Sequence, residues 1–475
     1  MKTIRNIIII NVMILAVSCS DNFLDLNPPS NANVGSFYKT ENDLEQAVVA
    51  AYAALQSRGQ YARNYLYFME SRSDNSYVED ITKGAGEEGN IDLFREATTN
   101  SYLYASWFVS YTGIQRCNIV LNRIQGIAMD EDLKTVRIGE VKFIRALTYF
   151  NLVRMWGGVP VVTNEIESVE EAYNHSRQSV SEVYDLIIQD LIDASVDLPA
   201  DQPESGRVTQ GAALSLLGKV YLTLEQWSDA VITLKQVETL GYQILPNFAD
   251  VFDVANQNNA ESIFEVQFKS GAIGEGSLFL RLHTPLGNSS LLGGIGGAGV
   301  GDNLPTQDLF DAFSTPDMRL PVTVGALTDG RLHTNKYNGL PFNTNDEDNN
   351  FIVLRYADVI LMLAEAQNEV AYVADGEAFT NLNIIRNRAG LSQLSSAELP
   401  DQASFRDALS LERRLELAFE NHRWFDLLRT KKAIEVMGNY VEDRAPLVVG
   451  NHQVLYPIPQ TALDVNPNLE QNLGY

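Results

Sequence analysis

The chain has 475 residues, of which 45% are hydrophobic, so its composition is that of a globular protein and excludes a disordered one. Its 35 basic and 61 acidic residues give a net charge of −26, which repels DNA and RNA and excludes nucleic acid as a partner. Two cysteines and five histidines are too few for a disulfide scaffold or a zinc framework.

The first residues have the pattern of a lipoprotein signal. Lys2 and Arg5 precede an apolar stretch over residues 7–17, which is too short to span a bilayer and fits a secretory signal. Small residues stand directly before Cys19, as in a bacterial lipobox. We therefore expect residues 1–18 to be removed and Cys19 to carry lipid, which anchors the chain to a membrane without spanning it. A secreted protein without lipid is the alternative.

The folded body is predicted to be one domain over residues 36–475, joined to Cys19 by a polar, proline-containing tether over residues 19–35. Its first helix follows Thr40, which stands three residues before Asp43 as in a capping box. Apolar residues at helical spacing predict three further helices. These are placed near residues 102–125, 136–156 and 179–196.

A repeat of small residues predicts paired helices. Gly218 and Ala230 lie twelve residues apart within a pattern that matches the tetratricopeptide repeat, and Ala366 and Ala378 have the same spacing. Small side chains at these places let the two helices of a hairpin approach closely. The predicted fold class is therefore mainly all-α, built from irregular tetratricopeptide-type pairs with long loop insertions and minor β-structure.

The main insertion covers residues 242–350 and is rich in Gly, Asn and Pro. A β-like run occurs at residues 262–268. The glycines at 294–299 spell GxGxxG, but Gly301 and Pro305 follow, so no helix can open there and a dinucleotide site is not predicted. Long loops on a rigid scaffold are where binding residues tend to lie.

The acidic residues of the C-terminal region have a spacing that could suit a catalytic site. Glu412, Glu416 and Glu420 lie at helical spacing, and two carboxylates could hydrolyse a glycoside. Arginines are interleaved with them, and a neighbouring cation lowers the pKa that a general acid needs. We therefore predict a structural ion-pair network, and no catalytic residue, metal site or cofactor. A secreted glycoside hydrolase stays an alternative.

Four segments, in the same order along the chain, closely resemble the SusD/RagB family of outer-membrane lipoproteins. They are residues 140–162, 354–369, 410–434 and 455–475, to which the lipoprotein start adds a fifth point of similarity. The resemblance implies a SusD-like helical domain, lipid-anchored in the outer membrane and facing the cell exterior. It also implies a non-catalytic protein that captures a nutrient and delivers it to a SusC-like TonB-dependent transporter.

The resemblance further implies that ligand residues lie in the loop after the first helix and in the mid-chain insertion. Aromatic faces suit sugar C–H surfaces, and polar side chains fix the hydroxyls. In the insertion, residues 279, 281 and 283 alternate as on one face of a strand. The candidate ligand residues are Asp74, Asn75, Tyr77, Phe94, Tyr102, Phe279, Arg281 and His283. No tryptophan lies between residues 74 and 107, which departs from the starch-binding pattern.

The expected cargo is a glycan, that is, an oligosaccharide. A peptide-capturing, RagB-like member of the same family is the first alternative, and the two differ only in the class of ligand. A scaffold that merely braces the transporter is a further alternative, and it predicts no affinity for any soluble ligand.

Overall fold

The computed structural model describes residues 38–439 and 449–475, so the predicted signal, Cys19 and the tether lie outside the described residues. The α-helices are α1 Glu41–Leu55, α2 Asn64–Leu66, α3 Glu87–Asp92, α4 Ser101–Arg123, α5 Glu131–Trp156, α6 Val169–Ala172, α7 Val180–Asp197, α8 Gln210–Thr223, α9 Trp227–Val237, α10 Phe279–Leu282, α11 Gln307–Ala312, α12 Leu320–Thr323, α13 Tyr356–Val370, α14 Glu377–Arg388, α15 Gln402–Leu417, α16 Arg423–Arg429, α17 Ala433–Asn439 and α18 Gln460–Val465. The strands are β1 Ser76–Tyr77, β2 Ser262–Val266, β3 Leu304–Pro305, β4 Gly325–Ala326, β5 Leu332–His333 and β6 Phe351–Arg355. This mainly helical architecture confirms the predicted fold class.

Side-chain caps determine where the long helices begin. The Thr40 hydroxyl accepts from the Asp43 N–H at 3.2 Å and the Asp43 carboxylate accepts from the Thr40 N–H at 2.9 Å, which confirms the predicted capping box. The carboxylate of Asp130 accepts from the Leu133 N–H at 2.9 Å, so α5 begins five residues before its predicted start at residue 136. Gly157, with φ of +73°, ends that helix.

The long helices pack in a continuous series. Going along it, α1 contacts α4, α4 contacts α5, α5 contacts α7, and the series continues through α8, α9 and α13 to α14. The pairs α8–α9 and α13–α14 are the predicted tetratricopeptide-type hairpins. A Cβ added to Gly218 would lie 2.3 Å from the Leu234 side chain, so α8 and α9 touch where the small residue was predicted to be needed.

Two short sheets hold the insertion against the helices. β2 pairs antiparallel with β6, with Val266 opposite Phe351, so the two ends of the insertion are joined at its base. The predicted strand near residues 262–268 is thereby confirmed, although it ends at Val266. β1 pairs antiparallel with β3 and ties the loop after the first helix to the insertion.

Most buried apolar side chains form one core that runs from α1 to α18. A smaller core lies between α13, α14 and α15, where Phe379 and Phe405 are in contact at 4.8 Å between ring centroids. No helix within residues 38–439 or 449–475 combines the length and the apolar character that crossing a membrane needs.

A buried ion network lies where the insertion meets the helical stack. Arg355, at the end of β6, is 1% exposed and donates to Glu261 at 2.8 Å and to Glu416 and Glu420, each at 2.6 Å. Arg388 of α14 also pairs with Glu416. Burial opposes ionisation of Glu416, but the surrounding guanidinium groups hold its pKa well below the ordinary value.

This network confirms the structural role predicted for the three glutamates and corrects their partners. Glu412 and Glu416 pair with Arg319, which comes from the insertion, and not with the arginines interleaved with them in sequence. Neighbours in a helix point about 100° apart, so Arg413 faces another way and pairs with Asp426 at 3.0 Å.

Replacing Arg355 by Met should lower the free energy of unfolding by roughly 3–5 kcal/mol, because it removes the cation shared by Glu261, Glu416 and Glu420 and leaves their buried charge only partly compensated. Urea denaturation followed by circular dichroism measures the loss. The matched control is Arg406→Met, since Arg406 is half exposed and pairs with Glu369 at the surface, so its loss should stay below about 1 kcal/mol. Equal losses from the two variants would contradict a central role for the buried network.

Candidate ligand-binding site

Three segments far apart in sequence come together at one surface of the molecule. We call this surface the loop face and define it by residues 76–95, 270–302 and 325–349. The Glu79 N–H donates to the Gly301 carbonyl at 2.8 Å, and the Glu79 carboxylate accepts from the Leu286 N–H at 2.6 Å. Arg331 donates to the same carboxylate at 3.3 Å and to the Leu286 carbonyl at 2.9 Å. The loop face is therefore cross-linked through polar contacts.

Two arginines, Arg414 and Arg423, bind the Ser73-Asp74-Asn75 turn that precedes β1. The Asp74 carboxylate accepts from Arg423 at 2.7 and 2.8 Å and lies 3.2 Å from Arg414. Burial opposes its ionisation, but the two guanidinium groups keep the pKa of Asp74 below the ordinary value. Asn75 is fully buried and bonds both Arg414, at 2.9 Å, and Glu70, at 3.0 Å. Both predicted ligand residues are thus bonded to the protein itself.

Glu70 is a buried acid beneath this turn. Besides Asn75, the backbone N–H groups of Phe419 and Asn421 donate to its carboxylate at 2.8 and 3.1 Å. Burial raises its pKa to about 7 in spite of these hydrogen bonds. Glu70 therefore joins the turn to the residues that follow α15.

The two predicted aromatic residues of the first region have different environments. Phe94 is 4% exposed, and its ring lies 4.1 Å from the guanidinium of the buried Arg72 and 5.5 Å from the ring of Trp424. Tyr102 is half-buried, and its hydroxyl donates to Glu88 at 2.5 Å. Tyr102 is therefore the more accessible of the two rings.

The strand-like display predicted for residues 279–283 is wrong. Residues Phe279–Leu282 form the one-turn helix α10 instead, because the Glu347 carboxylate accepts from the N–H groups of Leu280, at 2.7 Å, and Arg281, at 3.1 Å. In a helical turn, side chains four residues apart share a face. Phe279 and His283 accordingly both pack on the Tyr337 ring.

His283 and Phe279 are buried, whereas Arg281 is partly exposed. Burial lowers the pKa of His283 to about 4, so its imidazole is neutral at physiological pH, and its Nε2 lies 2.9 Å from the Asn303 amide. Arg281 donates to the Ala298 carbonyl at 3.0 Å and to the Asn345 side chain at 2.5 Å. It therefore connects the glycine-rich loop to the segment around residue 345.

The glycine-rich segment packs tightly and no helix opens within it, which confirms the predicted loop. A Cβ added to Gly296 would lie 2.4 Å from Pro341, and one added to Gly299 would lie 2.4 Å from Thr284. The glycines thus allow close packing against neighbouring chain segments.

Exposed apolar side chains mark the outer surface of the loop face, and sequence reasoning did not single them out. Phe342 is 60% exposed and Leu340 and Ile295 are each 61% exposed. The sequence feature that could have identified Phe342 is its position between Pro341 and the polar run over residues 343–350.

Of the predicted ligand residues, Tyr77, Tyr102 and Arg281 are partly exposed, and the other five are buried. Their ligand contacts stay a prediction. The described residues contain no group of three or more acidic, His or Cys side chains placed to hold a metal ion.

Two family models match the chain. One, described as "SusD family", matches residues 324–475, and the other, described as "Starch-binding associating with outer membrane", matches residues 22–222. Together the two matches span more than half of the chain.

Individual proteins are similar over nearly the whole chain. "SusD-like protein P25" of Formosa agariphila is 28% identical, with 99% of both chains covered. A solved structure named "Laminarin binding SusD-like protein" is also 28% identical and has a TM-score of 0.80, covering 92% of this chain and 100% of that one. Surface glycan-binding protein A from Bacteroides thetaiotaomicron, solved in complex with laminarihexaose, shares the fold at 22% identity. Its TM-score is 0.78, with 91% of this chain and 100% of that one covered.

Glu347→Gln should change how stability depends on pH. Burial raises the pKa of Glu347 to about 7, above its ordinary value of 4.5, so the folded state holds this proton more tightly than the unfolded state does. The destabilising effect of its ionisation therefore grows as the pH rises from about 4.5 through about 7. Relative to the natural protein, the variant should gain roughly 2 kcal/mol of unfolding free energy between pH 5 and pH 8. Urea denaturation at both pH values measures this. A constant difference would show that Glu347 is ionised throughout.

Proposed function

The chain belongs to the SusD family, and we propose that it is a lipid-anchored protein of the outer-membrane surface that captures an oligosaccharide. It delivers this cargo to a SusC-like TonB-dependent transporter. The observation that carries the proposal is the similarity, over 92% of the chain, to a structure named as laminarin-binding. The lipobox-like residues before Cys19 support the anchor.

The loop face supports a glycan as the cargo. Sugars offer C–H faces that stack on aromatic rings and hydroxyls that bond polar side chains. Phe342, Tyr77 and Arg281 come from the three different segments of this surface, and they provide two rings and a guanidinium group that are at least partly exposed. We propose that these residues and Tyr102 contact the ligand. The five buried candidates would then hold the loops in position from beneath.

The ion pairs of Glu412, Glu416 and Glu420 argue against the hydrolase alternative at these three residues. A glycosidase needs one carboxyl that is protonated near neutral pH. The pKa values of Glu416 and Glu420 are held below the ordinary value by Arg388, Arg355 and Lys336 in spite of burial. Glu412 is 2% exposed and pairs with Arg319 at 2.6 Å.

Removing the exposed ring of the loop face should weaken glycan capture. Phe342→Ala is expected to raise the apparent Kd for laminarin about tenfold, because losing one stacked ring costs on the order of 1.5 kcal/mol. Affinity electrophoresis of residues 20–475 in gels with laminarin or other polysaccharides measures this, with a peptide digest tested by calorimetry. Ile232→Ala is the matched control, since Ile232 is 63% exposed on α9, away from the loops.

Binding of peptides without retardation by any polysaccharide would replace the glycan by a peptide cargo. No binding of either class would leave the chain as a scaffold for the transporter.

Cys19→Ala should release the chain from the membrane fraction, because lipid on Cys19 is the proposed anchor. Fractionation of cells that express the full chain, with metabolic labelling by a fatty acid, measures anchoring and lipidation separately. Cys117→Ala is the matched control. Cys117 is fully buried on α4 and burial raises its pKa to about 12, so it offers no reactive thiolate. Membrane retention and label in the Cys19 variant would disprove the proposed anchor.

A further inference from the structure

A second concave surface lies on the helical body. It is a cleft of about 410 Å³ between one side of α4, the segment over residues 160–175, and α18 with the residues that follow it. We call it the helical cleft. Its volume falls within the range of about 300–1,000 Å³ that is usual for small-ligand sites. None of the eight predicted ligand residues lines it.

Aromatic rings form the walls of the helical cleft. Tyr104 and Phe108 lie on successive turns of α4, 36% and 58% exposed, with their ring centroids 6.1 Å apart. Trp107 and Tyr111 lie beside them, 5.1 Å apart, and Trp107 is 7% exposed. Tyr173, from the segment after α6, is 43% exposed and provides a further ring. These rings give a continuous apolar surface that the fold leaves open to solvent.

Charge is scarce in the helical cleft. The chain carries 61 acidic residues, yet none of those in the described part of the chain lines this surface, and Arg116 is the one formally charged lining residue found there. Arg116 donates to the Ala50 carbonyl at 2.7 Å, so part of its donor capacity serves the contact with α1. Without a carboxylate the cleft has no counter-charge for a cation, and it favours an uncharged ligand.

The polar groups of the helical cleft fall into two sets. Some support its walls: Gln115 bonds the backbone of Ile166 at 2.9 and 3.0 Å, and the Tyr111 hydroxyl donates to Pro160 at 2.9 Å. Two others, the hydroxyls of Tyr104 and Tyr173, have no hydrogen-bond partner among the described residues. His175 Nε2 also has no partner within that part of the chain, but this atom is buried and does not face the open cleft. Aromatic faces combined with uncommitted hydroxyl groups match the surface of a sugar ring.

We propose that the helical cleft is a second carbohydrate site, which takes an uncharged sugar unit of the captured glycan. This inference rests on the proposed glycan binding. The rings of Tyr104 and Phe108 would stack on the C–H faces of the sugar, and the hydroxyls of Tyr104 and Tyr173 would bond its hydroxyl groups.

The two sites lie on either side of the first turn of α4. Tyr102 and Tyr104 are two residues apart, which places their side chains about 200° apart around the helix. Tyr102 bonds Glu88 and contacts Tyr67, whereas Tyr104 lines the helical cleft. A long glycan held at both sites gains avidity, because binding at the second site becomes intramolecular.

Calorimetry with laminarihexaose and affinity electrophoresis with laminarin test the second site on residues 20–475. If another polysaccharide of the panel is the one retained, that polysaccharide and its oligosaccharides replace the laminarin probes. The natural protein should bind two oligosaccharides per chain. Phe108→Ala with Tyr173→Ala should remove one of them and weaken retention by the polymer about tenfold, and Phe342→Ala should weaken the other about tenfold.

Val465→Trp provides an independent variant. Val465 is 44% exposed and lines the cleft, so the larger side chain should fill the space while the aromatic wall stays intact. It should also abolish the second binding event. Ile232→Ala is again the control and should retain both.

The outcomes separate the two proposals. One oligosaccharide per chain, bound more weakly only in Phe342→Ala, would overturn the second site and leave the proposed function standing. Loss of binding only with the cleft variants would make the helical cleft the main site. No binding by the natural protein to any glycan would refute the proposed function. A change of oligomeric state in the cleft variants without a change in glycan binding would show that a second copy covers the cleft, and would overturn this inference.

Discussion

The pairing of Arg355 with buried glutamates is the interaction on which the arrangement of the insertion depends. One guanidinium, at the end of β6, contacts the residue before β2, the last turn of α15 and the chain after it. It thereby joins the base of the insertion to the helices at a single buried point. Such a cluster is stable only while every charge keeps its partner. A single substitution in this ion network should therefore destabilise the base on which the loop face is built.

Rigidity at the loop face comes from a different kind of contact. Carboxylates and carbonyls of one loop accept from N–H groups of another, as when Asp346 accepts from Ala272 at 2.7 Å. Bonds of this kind fix the course of loops that have little apolar core of their own. An exposed ring such as that of Phe342 is then presented without the entropy loss of ordering its loop upon binding.

The helices could be predicted from the sequence because their signals are local. Thr40 and Asp43 cap α1 within one turn, and Gly218 lies within one hairpin of the Leu234 it contacts. The helical turn that begins at Phe279 could not be predicted, because the N–H of Leu280 is capped by Glu347, which lies 67 residues later in the chain than Leu280. The partners of Glu416 were missed for the same reason, since Arg355 and Arg388 come from other elements. In the candidate site, the sequence identified the loops. It could not show that Phe279 is buried while Arg281, two residues later, is partly exposed.

The antiparallel pairing of β2 with β6 has a consequence for how such proteins diversify. Because Val266 and Phe351 are opposite each other, the chain between them leaves the helical body and returns to it at one place. Apart from residues such as Arg319 that pair with the helices, its length and sequence can therefore change with little effect on the path of the helices, because loop-closure entropy rises only slowly with length. Evolution can thus change the ligand-binding loops while the helical scaffold stays the same, as the binding loops of antibodies vary on a conserved β-sandwich.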